Sequence, residues 1–141
     1  MMSFAKLGLV EHMQRVVDAV HYKVPTPIQQ QAIPFILEGN DVISQAQTGT
    51  GKTATFALPI LQVLNEMSAK TKSGCIRALV LAPTRELAQQ VFSVCQGLIK
   101  HTNLSAVMVS GGVDFEQQAE QLEQSPAIVV ATTGRLLEHI K

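Results

Sequence analysis

The sequence predicts an α/β fold, a parallel sheet with helices on both faces. Three observations carry that prediction. Four short runs rich in Val, Ile and Leu recur along the chain. Segments with apolar residues at steps of three and four separate them, and a glycine-rich turn follows the first run directly.

The four runs are "DVISQA" (41–46), "IRALVLA" (76–82), "LSAVMVS" (104–110) and "AIVVAT" (127–132). None alternates cleanly between apolar and polar residues, which is the pattern of strands covered on both faces. Phe56, Ile60, Leu64 and Met67 follow the first run on one helical face, and Leu87, Val91, Val94 and Leu98 follow the second. A shorter helical stretch carries Phe115, Ala119 and Leu122. Pro59 falls inside the first of these helices and is expected to bend it. The N-terminal stretch differs. It reads as a helix from Leu7 to Val20 and a second from about Pro27 to Leu37, stopped by Gly39. This divides the chain into a helical region, residues 1–40, and a sheet-bearing region, residues 41–141. "SAKTKSG" (68–74) is the most loop-like stretch.

Composition narrows the class. With 141 residues, 46 % of them hydrophobic, the chain can build one real core, and with 4 % aromatic residues and no Trp that core is aliphatic. Eleven basic residues balance eleven acidic ones, so charge alone points neither toward nor away from nucleic acid. Cys75 and Cys95 have neither metal spacing nor a disulfide framework, and read as two reduced core thiols of a cytoplasmic protein. The four histidines are scattered and give no zinc signature. The N-terminus has no signal-peptide pattern, and no apolar stretch is long enough to span a membrane.

The glycine-rich turn carries the most chemistry. Ala46-Gln47-Thr48-Gly49-Thr50-Gly51-Lys52-Thr53 ends in Gly-Lys-Thr, with Ala46 where such loops usually have their first Gly. Gly49 and Gly51 permit a tight turn whose backbone N–H groups converge on phosphate oxygens. The helix opening near Gly51 adds its positive end. Lys52 supplies a mobile charge for the β and γ phosphates, and Thr53 a hydroxyl for Mg²⁺.

Two other strand ends share a shape. Thr84 and Arg85 follow the second run at a helix start; Thr132, Gly134 and Arg135 follow the fourth. The third ends in Ser110-Gly111-Gly112. In a parallel sheet these turns share one edge, where ligands bind. They could accept a second, extended polyanion such as a nucleic-acid backbone. Thr84 could equally be a helix cap, with Arg85 paired to Glu86. Upstream, Thr26-Pro27-Ile28-Gln29 is a complete capping box. Gln29 could also bond an adenine edge while Tyr22 stacks on its face, although the cap needs no ligand.

Taken in order, these motifs resemble those of the DEAD-box RNA helicases, bacterial ones most of all, across Phe4 to Lys141. "YKVPTPIQ" resembles the family's Q motif, with Phe4 as its upstream aromatic residue. "AQTGTGKT" matches motif I, "PTRELAQQ" motif Ia, Gly111-Gly112 the GG element, and "ATTGR" resembles motif Ib. The resemblance implies a partial RecA-like (P-loop NTPase) domain and adenine selection by Tyr22 and Gln29, with Phe4 and Thr26 beside them. It implies ATP and Mg²⁺ at Ala46 to Thr53, and RNA-backbone contacts from Pro83, Thr84, Arg85, Gly112, Thr132 and Arg135. Two positions depart from the family: His21 stands where Gly is usual, and Thr133 where motif Ib usually has Pro.

The family's DEAD motif has no counterpart in these residues. Glu66, Glu86, Glu116, Glu120, Glu123 and Glu138 all fall in helical segments, and Asp114 is separated from its strand by Ser110 to Val113. No apolar run ends in an acid that could hold Mg²⁺ indirectly or orient water. The resemblance also implies two further strands between the phosphate-loop strand and the other three. Without them a gap and bare edges are expected, giving a marginal fold or a first strand with a non-native neighbour. The expected function is that of a helicase segment binding ATP, Mg²⁺ and RNA, inactive in hydrolysis by itself. An inactive nucleotide- or RNA-binding module is the alternative. A P-loop enzyme acting on small molecules would need neither the Q-motif-like stretch nor the paired Thr/Arg ends.

Overall fold

The computed structural model describes residues 3–47, 49, 51–68 and 75–141. Six helices and three strands are present among them: α1 (Glu11–Ala19), α2 (Pro27–Leu37), α3 (Lys52–Ser68), β1 (Ala78–Ala82), α4 (Arg85–Ile99), β2 (Ala106–Val109), α5 (Phe115–Glu123), β3 (Ile128–Thr132) and α6 (Thr133–Ile140). A short 3-10 turn, Phe4–Leu7, precedes them. The sheet is wholly parallel in the order β1-β3-β2, with Leu79 opposite Val129 and Val107 opposite Val129 on the other side. The central position of β3 explains its unbroken burial from Ile128 to Ala131.

Helices cover both faces, as expected. On one face α4 lies over all three strands and joins α3, α1 and the 3-10 turn in a single aliphatic core built around Met13, Ile33, Leu58, Leu61, Leu98 and Val130. On the other, Leu122 of α5 and Leu136 of α6 pack on Val109, Val129 and Ala131. Residues on both sides of position 40 enter the first core.

The first run, 41–46, is not a strand, which corrects the sequence reading. Among the described residues it pairs with nothing, and Ile43 is fully exposed. A strand exists only as part of a ladder, and the three strands present close on one another. The same vacancy corrects the expectation of strands covered on both faces. Leu79 and Leu81 of β1 are 53 % and 55 % exposed, because neither α5 nor α6 reaches over this edge strand.

The expected helix from Leu7 to Val20 is also divided. Gly8 (φ 103°) closes the 3-10 turn, and α1 starts only at Glu11. Gln62 of α3, 7 % exposed, holds the break open: its Oε1 accepts from Val10 N–H (2.9 Å) and its Nε2 donates to the Gly8 carbonyl (3.2 Å). α2 spans the residues expected of it, and α3 continues through Pro59 as one helix.

Helix faces are rotated from the expected stripes. Ala54, Ala57, Leu58, Leu61 and Leu64 are among the buried residues of α3, while Met67 is exposed. In α4 the buried set is Ala88, Cys95, Leu98 and Ile99, not Leu87. Of the two thiols only Cys95 is in the core, where burial pushes it up to about 11. Cys75 is exposed in the segment leading into β1.

Candidate nucleotide cleft and strand-end edge

A cleft of about 450 Å³ opens at the start of α3. One wall comes from the N-terminal region and the glycine-rich turn: Phe4, Tyr22, Val24, Thr26 and Gln29, with Gly49, Gly51, Lys52, Thr53 and Ala54. The other is the side of α4 that carries Leu87, Gln90, Val91 and Val94. Ala46 and Gln47, the first two residues of that turn, do not line the cleft; Thr48 and Thr50 lie outside the described residues.

Local sequence builds the first wall. Val20 and His21 close α1 with a paired C-cap: His21 N–H donates to Asp18 (3.0 Å) and Tyr22 N–H to Val17 (3.0 Å), with His21 in the left-handed region at φ 63°. This reversal turns Tyr22 back toward Phe4, with ring centroids 6.4 Å apart and planes inclined by 25°. The left-handed backbone also gives a physical reason for glycine at this position. Replacing His21 with Gly is therefore expected to stabilise the fold by about 0.5–1 kcal/mol, measured by urea unfolding, after the larger unfolded-state entropy of glycine is deducted. An unchanged or lower midpoint would show that His21 carries no strain.

Gln29 joins the two halves of this wall. The capping box is present: Gln29 N–H donates to Thr26 Oγ1 (3.5 Å), and Gln29 Oε1 accepts from Thr26 N–H (2.9 Å). The same amide, 4 % exposed, donates from Nε2 to the Gly51 carbonyl at 3.2 Å. That carbonyl also accepts from Thr55 Oγ1 (2.9 Å) and Thr55 N–H (3.2 Å). Since a trans peptide directs C=O and N–H oppositely, the pinned Gly51 carbonyl turns the Lys52 N–H away from Gln29. Gly49 and Gly51 both have φ of 84°. A Cβ on Gly51 would run into the Gln29 amide, whereas one on Gly49 would meet nothing within 4 Å. Lys52 is exposed, and no carboxylate among the described residues pairs with it.

A second group of residues gathers at the carboxyl ends of the strands. Thr84 is the N-cap of α4, accepting from Leu87 N–H at 3.1 Å, as the simpler reading of that residue expects. Arg85 does not pair with Glu86; its Nη1 donates to the Gly111 carbonyl at 3.2 Å. Gly112 has φ 84°, and a Cβ there would strike the Arg85 guanidinium. Thr132 caps α6 by position only, without a side-chain bond. Arg135 reaches the same loop from α6 through Nη1, donating to the Val113 carbonyl (2.8 Å) and to Gln118 Oε1 (3.1 Å), while its Nε meets Glu138 at 3.0 Å. Pro83, Thr84, Arg85 and Gly112 are exposed; Thr132 and Arg135 are partly buried. The parallel register places all six at one edge of the sheet.

The model of the DEAD/DEAH box helicase family matches residues 26–141. The chain belongs to the DEAD/DEAH box helicase family. It is 50 % identical over 139 residues to the ATP-dependent rRNA helicase RRP3 of Pyricularia oryzae, covering 99 % of this chain and 25 % of that protein. Over 139 residues it is 47 % identical to the DEAD-box ATP-dependent RNA helicase RhpA of Helicobacter pylori, covering 99 % of this chain and 27 % of RhpA. The chain thus spans about a quarter of the length of these curated relatives.

Several parts of this family member's candidate site had no usable signal in the sequence. Leu87, Val91 and Val94 form an apolar stripe that reads as core, and only the packing of α4 turns it toward the cleft. Gln118, 1 % exposed, is one of three glutamines in α5, and nothing in the spacing singles it out. Among the described residues no helix is long and apolar enough to cross a membrane, and no group of three or more His, Cys, Asp or Glu could hold a metal ion.

Proposed function

We propose that this chain is the ATP- and RNA-binding part of an ATP-dependent RNA helicase, a cytoplasmic protein that separates RNA duplexes using ATP hydrolysis. The observation that carries the reading is the single amide of Gln29, which joins the capping box to the Gly51 carbonyl beside an open cleft. Residues 1–40 act in choosing the base and residues 41–141 in holding phosphate and RNA. Gln29 retains a second N–H and a second lone pair for an adenine edge. Tyr22 stacks on the base with Phe4 beside it, and Thr26 sets the helix that carries Gln29. Ala46 to Thr53 enclose the phosphates, with Lys52 as the cation. The fit to a phosphate chain rests on the glycine at 51, which leaves no room for a Cβ, and on Lys52, with which no carboxylate among the described residues pairs. Mg²⁺ would take the Thr53 hydroxyl as a protein ligand and screen the phosphate charge. Pro83, Thr84, Arg85, Gly112, Thr132 and Arg135 hold the RNA backbone at the strand-end edge.

The chain by itself binds nucleotide without turning it over, because no carboxylate among the described residues lines the cleft to orient water. The test is equilibrium binding of a fluorescent ATP analogue, followed by phosphate release with and without RNA. Binding that prefers ATP over GTP and releases no phosphate is expected. RNA-stimulated turnover by this chain would sink the inactive part, and no nucleotide binding would sink the reading as a whole. That same lack of a cleft carboxylate favours the second reading, a binding module without catalysis. RNA affinity unchanged by ATP, and weakened in Arg85→Ala, would select it.

A further inference from the structure

Gln118 is a buried amide with three partners, one in the loop after β2 and two on α6. Its Nε2 donates to the Ser110 carbonyl at 2.8 Å, which fixes the amide orientation. Its Oε1 must then be the acceptor for Arg135 Nη1 (3.1 Å) and for His139 Nε2 (3.2 Å), so His139 carries its proton on Nε2. The Ser110 Oγ is buried with no partner among the described residues, and the bond from α5 to Ser110 runs from Gln118 to the Ser110 backbone carbonyl. The His139 ring in turn lies flat on Phe115, 4.1 Å between centroids and 6° between planes, with the Arg135 guanidinium 5.8 Å from the same ring.

The donors of Arg135 can be counted. Nε meets Glu138, and Nη1 serves Val113 and Gln118. Its Nη2, with two N–H groups, has no partner among the described residues. Gln118 thus holds one end of the guanidinium while the other end stays available, and through Ser110 it holds the loop that Arg85 also grips. We propose that Gln118 is a positioning residue for RNA, orienting Arg135 Nη2 toward a backbone phosphate while tying the 110–113 loop to α6. This rests on the RNA reading above. It assigns Gln118 no contact with RNA; the effect passes through Arg135.

The test is binding of a fluorescein-labelled oligouridylate across a salt series by the native chain, Gln118→Met, Arg135→Ala and the double variant, with circular dichroism melts in parallel. A misdirected guanidinium removes one phosphate neutralisation. Gln118→Met is expected to bind about tenfold more weakly, with a log affinity against log salt slope shallower by about one. The double variant is expected to be no worse than Arg135→Ala alone. A merely structural role would lower the active fraction and leave the slope unchanged. An unchanged slope in folded Gln118→Met, or losses that add in the double variant, overturns the proposal. Should Gln118→Met fail to fold, Gln118→Glu keeps the acceptor but neutralises Arg135, and an unchanged slope there overturns it equally. If the native chain binds no oligouridylate, the RNA reading fails, and this inference with it.

Discussion

Replacing Gly51 with alanine is expected to weaken adenine-nucleotide binding by about 30-fold or more. Two costs combine. At φ 84° an L-residue carries roughly 1–2 kcal/mol of left-handed strain. The new Cβ would also push into the Gln29 amide and break its bond to the Gly51 carbonyl, leaving a buried donor unpaired at about 1–3 kcal/mol. Together they amount to about 2–5 kcal/mol, set against roughly 1.4 kcal/mol for each tenfold in affinity. Gly49 is the internal control. It has the same φ, but its Cβ would enter open space, so Gly49→Ala meets only the strain and is expected to lose about tenfold. Titration of a fluorescent ATP analogue against both variants decides it. If Gly49→Ala proved as damaging as Gly51→Ala, the Gln29–Gly51 link would not be what shapes the loop.

The second large effect concerns association. β1 is an edge strand whose Leu79 and Leu81 face solvent, and the strand-like run 41–46 pairs with nothing among the described residues. Such an edge invites pairing with another chain. The 141-residue chain is expected to melt at low temperature with poor cooperativity and to sediment as concentration-dependent oligomers. Leu79→Lys with Leu81→Lys is expected to shift it to monomer, since both side chains are already more than half exposed and charges there block edge pairing. Sedimentation velocity over a concentration series measures this. A monomeric native chain with a sharp melt at high temperature would show the open edge to be harmless.

Much of this molecule was legible beforehand because its signals are local. Thr26, Pro27 and Gln29 mark the start of α2 through a cap that needs no tertiary contact, and α2 begins and ends where expected. Three of the four apolar runs are strands, and Thr84 is the cap its sequence suggests. The misses are those that depend on a neighbour. "DVISQA" has strand composition but no ladder among the described residues, and Leu87 belongs to a helical stripe whose direction no periodicity can give. The run from Leu7 to Val20 has continuous helical character, yet the buried amide of Gln62 holds Gly8 and Val10 out of the helix.

Residue order alone was enough for the glycine-rich Gly-Lys-Thr turn, the capping box, the Thr and Arg that follow β1 and β3, and so the family. These are short-range patterns in which backbone geometry and residue type suffice. Only the tertiary structure decided that one Gln29 amide serves both the cap and the loop, that α4 forms the far wall of the cleft, and that Gln118 joins Ser110 to Arg135 and His139. The physical reason is the reach of the interactions. A cap closes within one turn of helix, whereas a buried amide takes its meaning from whatever donors and acceptors the folded chain brings within 3 Å or so of it.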